Sequence, residues 1–284
     1  MFSTLIDTPT LLTHYANPDW VIIDCRFALA DTEGGRRAYQ EAHIPGAYYA
    51  HLDEDLSGPI VPGKTGRHPI PSIYQLVQRF SQWGVESHKQ VVVYDDKGGA
   101  IASRLWWLLR WLGHEKVAVL DGGWQAWLAE LGPTSDEVPA YQEDVQFEPD
   151  ANPYWLVNAT FVEQARDDEQ YLVVDSRAAE RYSGAHEPID PVSGHVPWAL
   201  NAPFAENWSK DFHFKTMKEL EERFQALLGE HPVEDTVFYC GSGVTACHNI
   251  LALAHAGLGM AKLYGGSWSD WITDSNRPIA TTPE

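Results

Sequence analysis

The sequence predicts an α/β protein made of two similar domains, each a mainly parallel β-sheet flanked by helices. Short runs rich in valine and isoleucine alternate with segments of helical periodicity, which is typical of a parallel sheet covered by helices. Blocks of sequence also occur twice, in the same order and at similar spacing, which indicates a duplicated domain. The length of 284 residues suits two domains of ordinary size.

Four pairs of blocks carry the duplication. They are Val21–Arg26 with Leu172–Arg177, His43–Gly46 with His195–Trp198, Val91–Asp95 with Thr236–Cys240, and Val119–Trp124 with Lys262–Ser267. We therefore expect one domain over residues 1–132 and a second over 156–284. Residues 133–155 contain several prolines and acidic residues but no lysine or arginine, which predicts an extended linker.

Helices are predicted between the strands. The candidate segments are Ile73–Trp83, Ala102–Trp111, Met217–Leu228 and Cys247–Ala256. Ser72 and Thr216 precede two of them and are expected N-caps, because a hydroxyl there can accept a hydrogen bond from the first turn.

Composition excludes several classes of protein. Forty acidic residues against 20 lysines and arginines give a net charge of −20, which would repel nucleic acid phosphates. No apolar run is long enough to cross a bilayer, and no basic leader precedes an apolar core, so neither a membrane partner nor export is expected. Three cysteines without a C-x-x-C pair suit a reducing, cytoplasmic compartment.

Neither a cofactor nor a metal is expected. The chain has no glycine-rich dinucleotide loop and no phosphate-binding loop of the G-x-x-x-x-G-K type. Its histidines lack the spacing of metal ligands, and Cys247 and His248 are adjacent rather than placed to chelate.

Cys240 is the candidate nucleophile. It ends the β-rich run Thr236–Cys240, and two glycines follow before a predicted helix, so that backbone amides can converge on its thiol. Amides and a helix N-terminus favour a thiolate over a thiol. The first half has Asp95 at the matching position, which cannot act as a thiolate, so we expect the first domain to be catalytically inactive.

The loop from Cys240 to Thr245, read Cys-Gly-Ser-Gly-Val-Thr, resembles the active-site loop of the rhodanese superfamily and of its two-domain mercaptopyruvate sulfurtransferases. Further matching segments are Asp175–Arg177 with Arg181 and Tyr182, the two His-x-Pro segments, and Tyr264–Trp271. The resemblance extends from about Trp20 to Trp271, and it implies two tandem rhodanese-like domains.

The resemblance implies a sulfurtransferase. A Cys240 persulfide would form on a small anionic donor, 3-mercaptopyruvate, and pass its sulfur to a thiol, a thioredoxin-like protein or cyanide. Thiosulfate is the alternative donor. Thiosulfate-type loops usually carry two basic residues after the cysteine, whereas this loop has the uncharged Gly241 and Ser242. A cysteine phosphatase is disfavoured, because its phosphate-binding arginine would fall on Ala246.

The resemblance also implies roles for individual residues. Ser242 would manage protons with His43 and an acid, Asp31 or alternatively Glu33. His195 occupies the place of His43 in the second half, so a structural role for both histidines stays open.

The implied donor-binding residues surround the same loop. Arg181 would bind the donor carboxylate, and the residues expected to line the donor are Gly241, Gly243, Val244 and Thr245. Relatives that use mercaptopyruvate generally carry a second arginine some nine residues further on, where this chain has Asp190. Cys247 is either a resolving thiol or, more simply, a buried helical residue.

Overall fold

A computed structural model describes residues 1–209 and 211–281, and these form two compact units. The first unit comprises residues 1–58, 71–152 and a short segment around His213. The second comprises residues 59–70, 153–209 and the described residues from 215 onward. Each unit contains a five-stranded parallel sheet flanked by helices, which confirms the predicted fold class.

In the first unit the sheet has the order β1-β5-β4-β2-β3. Its strands are β1 (Leu5–Ile6), β2 (Trp20–Asp24), β3 (Tyr48–Tyr49), β4 (Gln90–Tyr94) and β5 (Val117–Leu120). The helices are α1 (Thr8–His14), α2 (Gly34–Glu41), α3 (Ile73–Gln82), α4 (Ala102–Trp111) and α5 (Gly123–Ala129). The central strand β4 is buried along its whole length, as its run of valines requires.

The second unit repeats this topology, with the order β6-β10-β9-β7-β8. Its strands are β6 (Leu156–Val157), β7 (Leu172–Asp175), β8 (Leu200–Asn201), β9 (Thr236–Tyr239) and β10 (Lys262–Tyr264). Its helices are α6 (Ala159–Ala165), α7 (Ala179–Tyr182), α8 (Met217–Leu228), α9 (Ala246–His255) and α10 (Ser267–Trp271), with 3-10 turns at Phe204–Asn207 and Val233–Asp235. The duplication seen in the sequence is therefore a duplication of the fold.

The predicted helices are confirmed within one residue at each end. Ser72 accepts a hydrogen bond from the backbone N–H of Gln75, and Thr216 accepts one from that of Glu219. In both caps the third residue of the helix bonds back to the cap, which satisfies two amide donors that the helix leaves open.

Two segments are not assigned to the units as a division of the chain at residues 133–155 would predict. Residues 59–70 come from the first half of the sequence but belong to the second unit. Residues 133–152 run along the first unit, where Gln142 N donates to Gln82 O (2.9 Å), Asp150 N donates to Leu112 O (2.9 Å) and Phe147 is buried. Backbone hydrogen bonds therefore attach this stretch to its own unit, because a buried aromatic ring and paired amides are more stable than a solvated chain.

One pair of blocks in the repeat needs a correction. The sequence pairs Trp124 with Ser267, but the structure pairs Trp124 with Trp268. Trp124 N donates to Asp95 O (2.9 Å), and Trp268 N donates to Cys240 O (3.0 Å). Each indole also lies under the guanidinium of a strand-end arginine, at 4.6 Å and 4.8 Å. The tandem glycines in both halves allowed a slip of one residue, and Ser267 is the counterpart of Gly123.

In the first unit, the loop after the central strand closes around a carboxylate. Asp95 is fully buried, and its two oxygens accept four backbone hydrogen bonds. The donors are the N–H groups of Lys97 (2.8 Å), Gly99 (2.9 Å), Ile101 (2.7 Å) and Ala102 (2.8 Å). The aspartate therefore supplies the negative charge that this ring of amides and the start of α4 stabilise.

Within the described residues, no helix has both the length and the apolar composition required to cross a bilayer.

We expect Asp95→Ala to destabilise the first unit by roughly 2–4 kcal/mol, because four buried amides lose a charged acceptor. Hydrogen exchange of peptides covering residues 97–102 should speed up, and the midpoint of urea unfolding should fall. Asp144→Asn, at an exposed position, is the matched control and should change neither. Unchanged exchange in the Asp95 variant would contradict the structural role of this carboxylate.

Candidate active site

Cys240 follows β9 and opens the loop that leads into α9. The residue is only 2% exposed, and Gly243 N donates a hydrogen bond to its sulfur at 3.2 Å. Gly243 has φ +78°, a conformation that glycine adopts without strain, and this turn aims the amide inward. The amides of Ser242 and Ala246 and the hydroxyl of Thr245 belong to the same loop and act to lower the pKa of this thiol. The thiol therefore lies in the cradle that Asp95 fills in the first unit.

Hydrogen bonding lowers the pKa of the Cys240 thiol even though burial opposes it. Burial raises the pKa, and the Thr245 hydroxyl with the amides of Ser242, Ala246 and Gly243 lowers it by more. Cys25 is the contrast within the same chain, since burial and the nearby Asp24 raise its pKa well above the ordinary value. Cys247 is buried and donates to Gly243 O at 3.4 Å, as a structural thiol does. The arrangement around Cys240 favours a thiolate nucleophile.

Ser267 fixes the backbone of the nucleophile. Its Oγ accepts a hydrogen bond from Cys240 N (3.0 Å) and donates one to Tyr264 O (2.9 Å). Ser267 has φ +57°, and its counterpart Gly123 has φ +56°. A left-handed backbone conformation costs free energy for a serine but not for a glycine. The hydrogen bond from Cys240 N to the Ser267 hydroxyl offsets part of this cost and fixes the start of the loop.

The partner of Ser242 is His68. Nδ1 of His68 lies 2.7 Å from Oγ of Ser242, and both residues are buried. The amide of Ser242 acts to lower the pKa of Cys240, and its hydroxyl contacts the histidine. A serine and a histidine in contact beside a thiolate can move a proton to or from a group bound at the sulfur.

Arg181 lies on α7 beside the loop, held by two carboxylates. Its Nε donates to both oxygens of Glu187 (3.0 Å and 2.9 Å), and its Nη2 donates to Asp190 (2.9 Å). Asp190 also bonds to Nη1 of Arg67. Burial raises the pKa of Asp190, while the charge of Arg67 acts to lower it. The two arginines flank Gly241, because a methyl group built there would lie 3.0 Å from Nη2 of Arg67 and 3.4 Å from Nη1 of Arg181.

Val244 and Thr245 complete the loop as the sequence predicts. Val244 is 4% exposed, its carbonyl accepts a hydrogen bond from Cys247 N, and Thr245 is the residue immediately before α9. The loop residues named from the sequence are therefore together around the sulfur, with Arg181 beside them.

The structure places His43 and Asp31 elsewhere, in the first unit. Nδ1 of His43 lies 2.7 Å from Tyr39 O, and its Nε2 lies 3.1 Å from Glu137 O. The ring stacks on Tyr39, and His195 stacks in the same way on Tyr182. This shared environment is that of a structural turn residue, and the histidine that the structure brings to Ser242 is His68.

The two candidate acids of the relay lie on the surface of the first unit. Asp31 is exposed and pairs with Arg37 at 2.5 Å. Glu33 is also exposed and pairs with Arg36 at 3.2 Å. Each carboxylate therefore has an arginine partner from its own unit.

Three residues of the site were not predicted from the sequence: Arg67, His68 and Ser267. Arg67 and His68 lie in residues 59–70, which the sequence repeat does not cover. The signal available was a charged pair, Arg-His, inside a stretch rich in glycine and proline, which is typical of a functional loop. Ser267 was hidden by the one-residue slip in the repeat.

One group of potential metal ligands occurs among the described residues, formed by Glu33, His51 and Glu54 in the first unit. Arg36 pairs with both glutamates, and Nε2 of His51 lies 3.0 Å from Thr32 O. Since these atoms already have partners, the group is explained as an ion-pair cluster.

The chain is similar to known proteins over nearly its whole length. The model of the rhodanese-like domain matches the chain twice, at residues 7–130 and 158–274. A probable 3-mercaptopyruvate sulfurtransferase of Pseudomonas aeruginosa is 47% identical over 279 residues, covering 98% of both chains. A thiosulfate sulfurtransferase of Mus musculus is 33% identical and covers 90% of this chain and 86% of its own.

A solved structure agrees with these relatives. The 3-mercaptopyruvate sulfurtransferase of Escherichia coli superimposes with a TM-score of 0.80 at 30% identity, covering 94% of this chain and 100% of that one. The family model matches both halves of the chain, in agreement with the duplicated sheet and the cysteine loop. The chain therefore belongs to the rhodanese family, as a sulfurtransferase with two rhodanese-like domains in tandem.

Proposed function

We propose that this protein transfers sulfur from 3-mercaptopyruvate to a thiol acceptor through a persulfide on Cys240. The observation that carries the proposal is a buried thiol whose pKa is lowered by the amides and the hydroxyl of its own loop. The names of the relatives support the donor, and the uncharged Gly241 and Ser242 after the cysteine suit an organic monoanion.

The reaction has two steps: sulfur moves from the donor to Cys240, and then from Cys240 to the acceptor. The Cys240 thiolate attacks the sulfur of mercaptopyruvate, a sulfur–sulfur bond forms, and the carbon–sulfur bond breaks. The electron pair of that bond leaves with carbon as the enolate of pyruvate, which takes up a proton. An acceptor thiolate then attacks the outer sulfur and leaves as a persulfide, and Cys240 returns to the thiolate. The Gly243 amide, which donates to the sulfur, also stabilises the persulfide anion between the two steps.

Ser242 and His68 are suited to the proton transfers of the first step. Mercaptopyruvate arrives with a thiol proton, and its product enolate needs one. A hydroxyl in contact with an imidazole can remove the first and supply the second. We therefore assign to His68 the role that the family resemblance gave to His43, while Ser242 keeps its predicted role.

Arg181 is the proposed carboxylate-binding residue. Its Nη1 lies next to Gly241, and no group among the described residues accepts a hydrogen bond from that nitrogen. Thiosulfate is the second candidate donor, favoured by the sulfurtransferase of Mus musculus that carries its name. Steady-state rates with each donor decide between the two.

The proposed acceptors are small thiols or a thioredoxin-like protein, with cyanide as the assay acceptor. The first domain, with Asp95 in its cradle, is proposed to be catalytically inactive. A cytoplasmic location and a lack of nucleic acid partners stay predictions from composition.

Cys240→Ser should abolish sulfur transfer. The serine hydroxyl stays protonated near neutral pH and has no sulfur atom with which to form a persulfide. Cys247→Ser is the matched control and should keep most of the activity, since Cys247 is a buried helical thiol. Intact mass after incubation with donor alone should show one retained sulfur atom in wild type and in the Cys247 variant only. Equal losses in both variants would mean that the nucleophile is not Cys240 alone.

Alkylation of Cys240 should follow a pH profile with its midpoint below the ordinary value of a thiol. A lowered pKa means that the thiolate is present above that midpoint and is lost as pH falls through it. Thr245→Val removes the hydroxyl that contributes most to lowering this pKa and should raise the midpoint by about one pH unit. Iodoacetamide rates measured against pH give both values, and an unmoved midpoint would remove Thr245 from the stabilisation of the thiolate.

Ser242→Ala and His68→Gln should each lower kcat with mercaptopyruvate by about 100-fold, since only that donor requires proton management. The loss with thiosulfate should be much smaller. Ser275→Ala, at an exposed position, is the control and should leave both donors unaffected. Equal losses with both donors would show that the pair positions the loop instead of moving protons.

A further inference from the structure

Arg67 and Asp190 form an ion pair that the sequence did not predict. Asp190 stands where relatives that use mercaptopyruvate carry a second arginine. Its side chain is only 2% exposed, and it bonds to Nη1 of Arg67 and, at 2.9 Å, to Nη2 of Arg181. One buried carboxylate therefore holds two guanidinium groups side by side.

The ion pair is anchored to the catalytic loop. Arg67 N donates to Ser269 Oγ (3.1 Å), and Ser269 N donates to Gly241 O (2.9 Å). The next residue, His68, bonds to Ser242. Residues 66–68 thus lie along residues 240–242, and the backbone of the loop fixes where the Arg67 side chain begins.

Asp190 accepts a hydrogen bond from only one of the three guanidinium nitrogens of Arg67, Nη1. Its Nη2 points toward the space over Gly241, and its Nε is buried without a hydrogen-bond partner among the described residues. The side chain is 28% exposed, so a small ligand can reach it from solvent. A buried guanidinium nitrogen that lacks an acceptor costs stability unless a ligand supplies one.

We propose that Arg67 is the second donor-binding cation of this site, that Asp190 is its buried counter-ion, and that together they select a donor with one negative charge. The cation that relatives carry in the chain segment after Arg181 is here supplied by residues 59–70. The inference rests on the proposed function for the identity of the donor, but the charge it assigns to the site does not.

The charges beside the loop explain the selection. Arg67 and Arg181 contribute two positive charges, and Asp190 and Glu187 contribute two negative charges. A monoanionic carboxylate can bond to the free guanidinium nitrogens without leaving a large excess of negative charge. A dianion such as thiosulfate brings a second charge close to the buried Asp190, where repulsion is weakly screened.

Two alkylating agents test the charge of the site without any sulfur transfer. Iodoacetate and iodoacetamide differ only by a carboxylate in place of an amide, and both react with the Cys240 thiolate. The ratio of their rate constants, with the alkylated residue identified by mass spectrometry, measures the attraction of the site for a carboxylate. Arg67→Gln should lower this ratio by about tenfold, and because a change in the thiolate fraction alters both rates equally, the ratio reports only the attraction for the carboxylate. Lys218→Gln removes one charge from an exposed surface position and is the matched control.

The sign of the Asp190 effect separates a counter-ion from a structural ion pair. Asp190→Asn should raise the iodoacetate to iodoacetamide ratio, because it frees both arginines from a negative charge. A salt bridge that only holds the loop in place would give losses of the same sign for Arg67→Gln and Asp190→Asn. An unchanged ratio in Arg67→Gln, or a lowered ratio in both variants, would overturn the proposal. A far-UV circular dichroism spectrum and a thermal midpoint like those of wild type show that each variant is folded.

Sulfur donors then test the selection. Arg67→Gln should raise KM for 3-mercaptopyruvate by about 10–100-fold with a smaller effect on kcat, the change expected from losing one charge-assisted hydrogen bond. Asp190→Asn should raise kcat/KM for thiosulfate more than for mercaptopyruvate. The exchange Arg67→Asp with Asp190→Arg, which returns the arginine to position 190, should recover mercaptopyruvate binding that Arg67→Asp alone loses. If wild type does not turn over mercaptopyruvate, the proposed function fails, while the alkylation ratios still decide the role of Arg67.

Discussion

The converging backbone amides after the central strand are the constraint on which the rest of this site depends. Buried N–H groups must be paired, and a ring of them at the start of a helix is paired best by a negative charge. The chain meets this requirement twice, with the carboxylate of Asp95 in one unit and the sulfur of Cys240 in the other. The same backbone geometry therefore holds a carboxylate in one unit and a thiol in the other, and of these two groups only a thiol has the chemistry to gain and release a second sulfur.

Electrostatics around Cys240 run against those of the molecule as a whole. The chain carries a net charge of −20, yet two arginines border Gly241. Each arginine is paired with buried carboxylates, so the net charge of the site is close to zero before a donor binds. The guanidinium nitrogens that stay open orient a bound anion through hydrogen bonds. A local pair of oriented donors attracts a small anion over a short range, whereas the acidic surface acts weakly at that distance because salt screens it.

Duplication made much of the site predictable. The repeat located the ends of β4 and β9, and the loop composition then identified Cys240, Ser242 and Thr245 as neighbours, since they are adjacent in the chain. Arg181 was named from the family resemblance, through its spacing from the strand-end Asp175–Arg177, and the structure places it beside Gly241. The repeat gives His43 a counterpart in His195, and both rings stack on a tyrosine in the same structural turn, whereas the histidine in contact with Ser242 is His68. Internal symmetry points to what both halves need for folding, and so it points away from residues that only the active half needs.

The sequence by itself determined the fold class, the tandem arrangement and the position of the Cys240 loop, because all of these follow from contiguous residues: strand ends, glycine turns and helix starts. Only the tertiary structure decided which distant side chains complete the site. Residues 59–70 precede Cys240 by about 170 positions, and nothing in local propensity or periodicity says that they pack in the second unit. Their place is set by hydrogen bonds such as Arg67 N to Ser269 and His68 to Ser242, which exist only once the chain has folded.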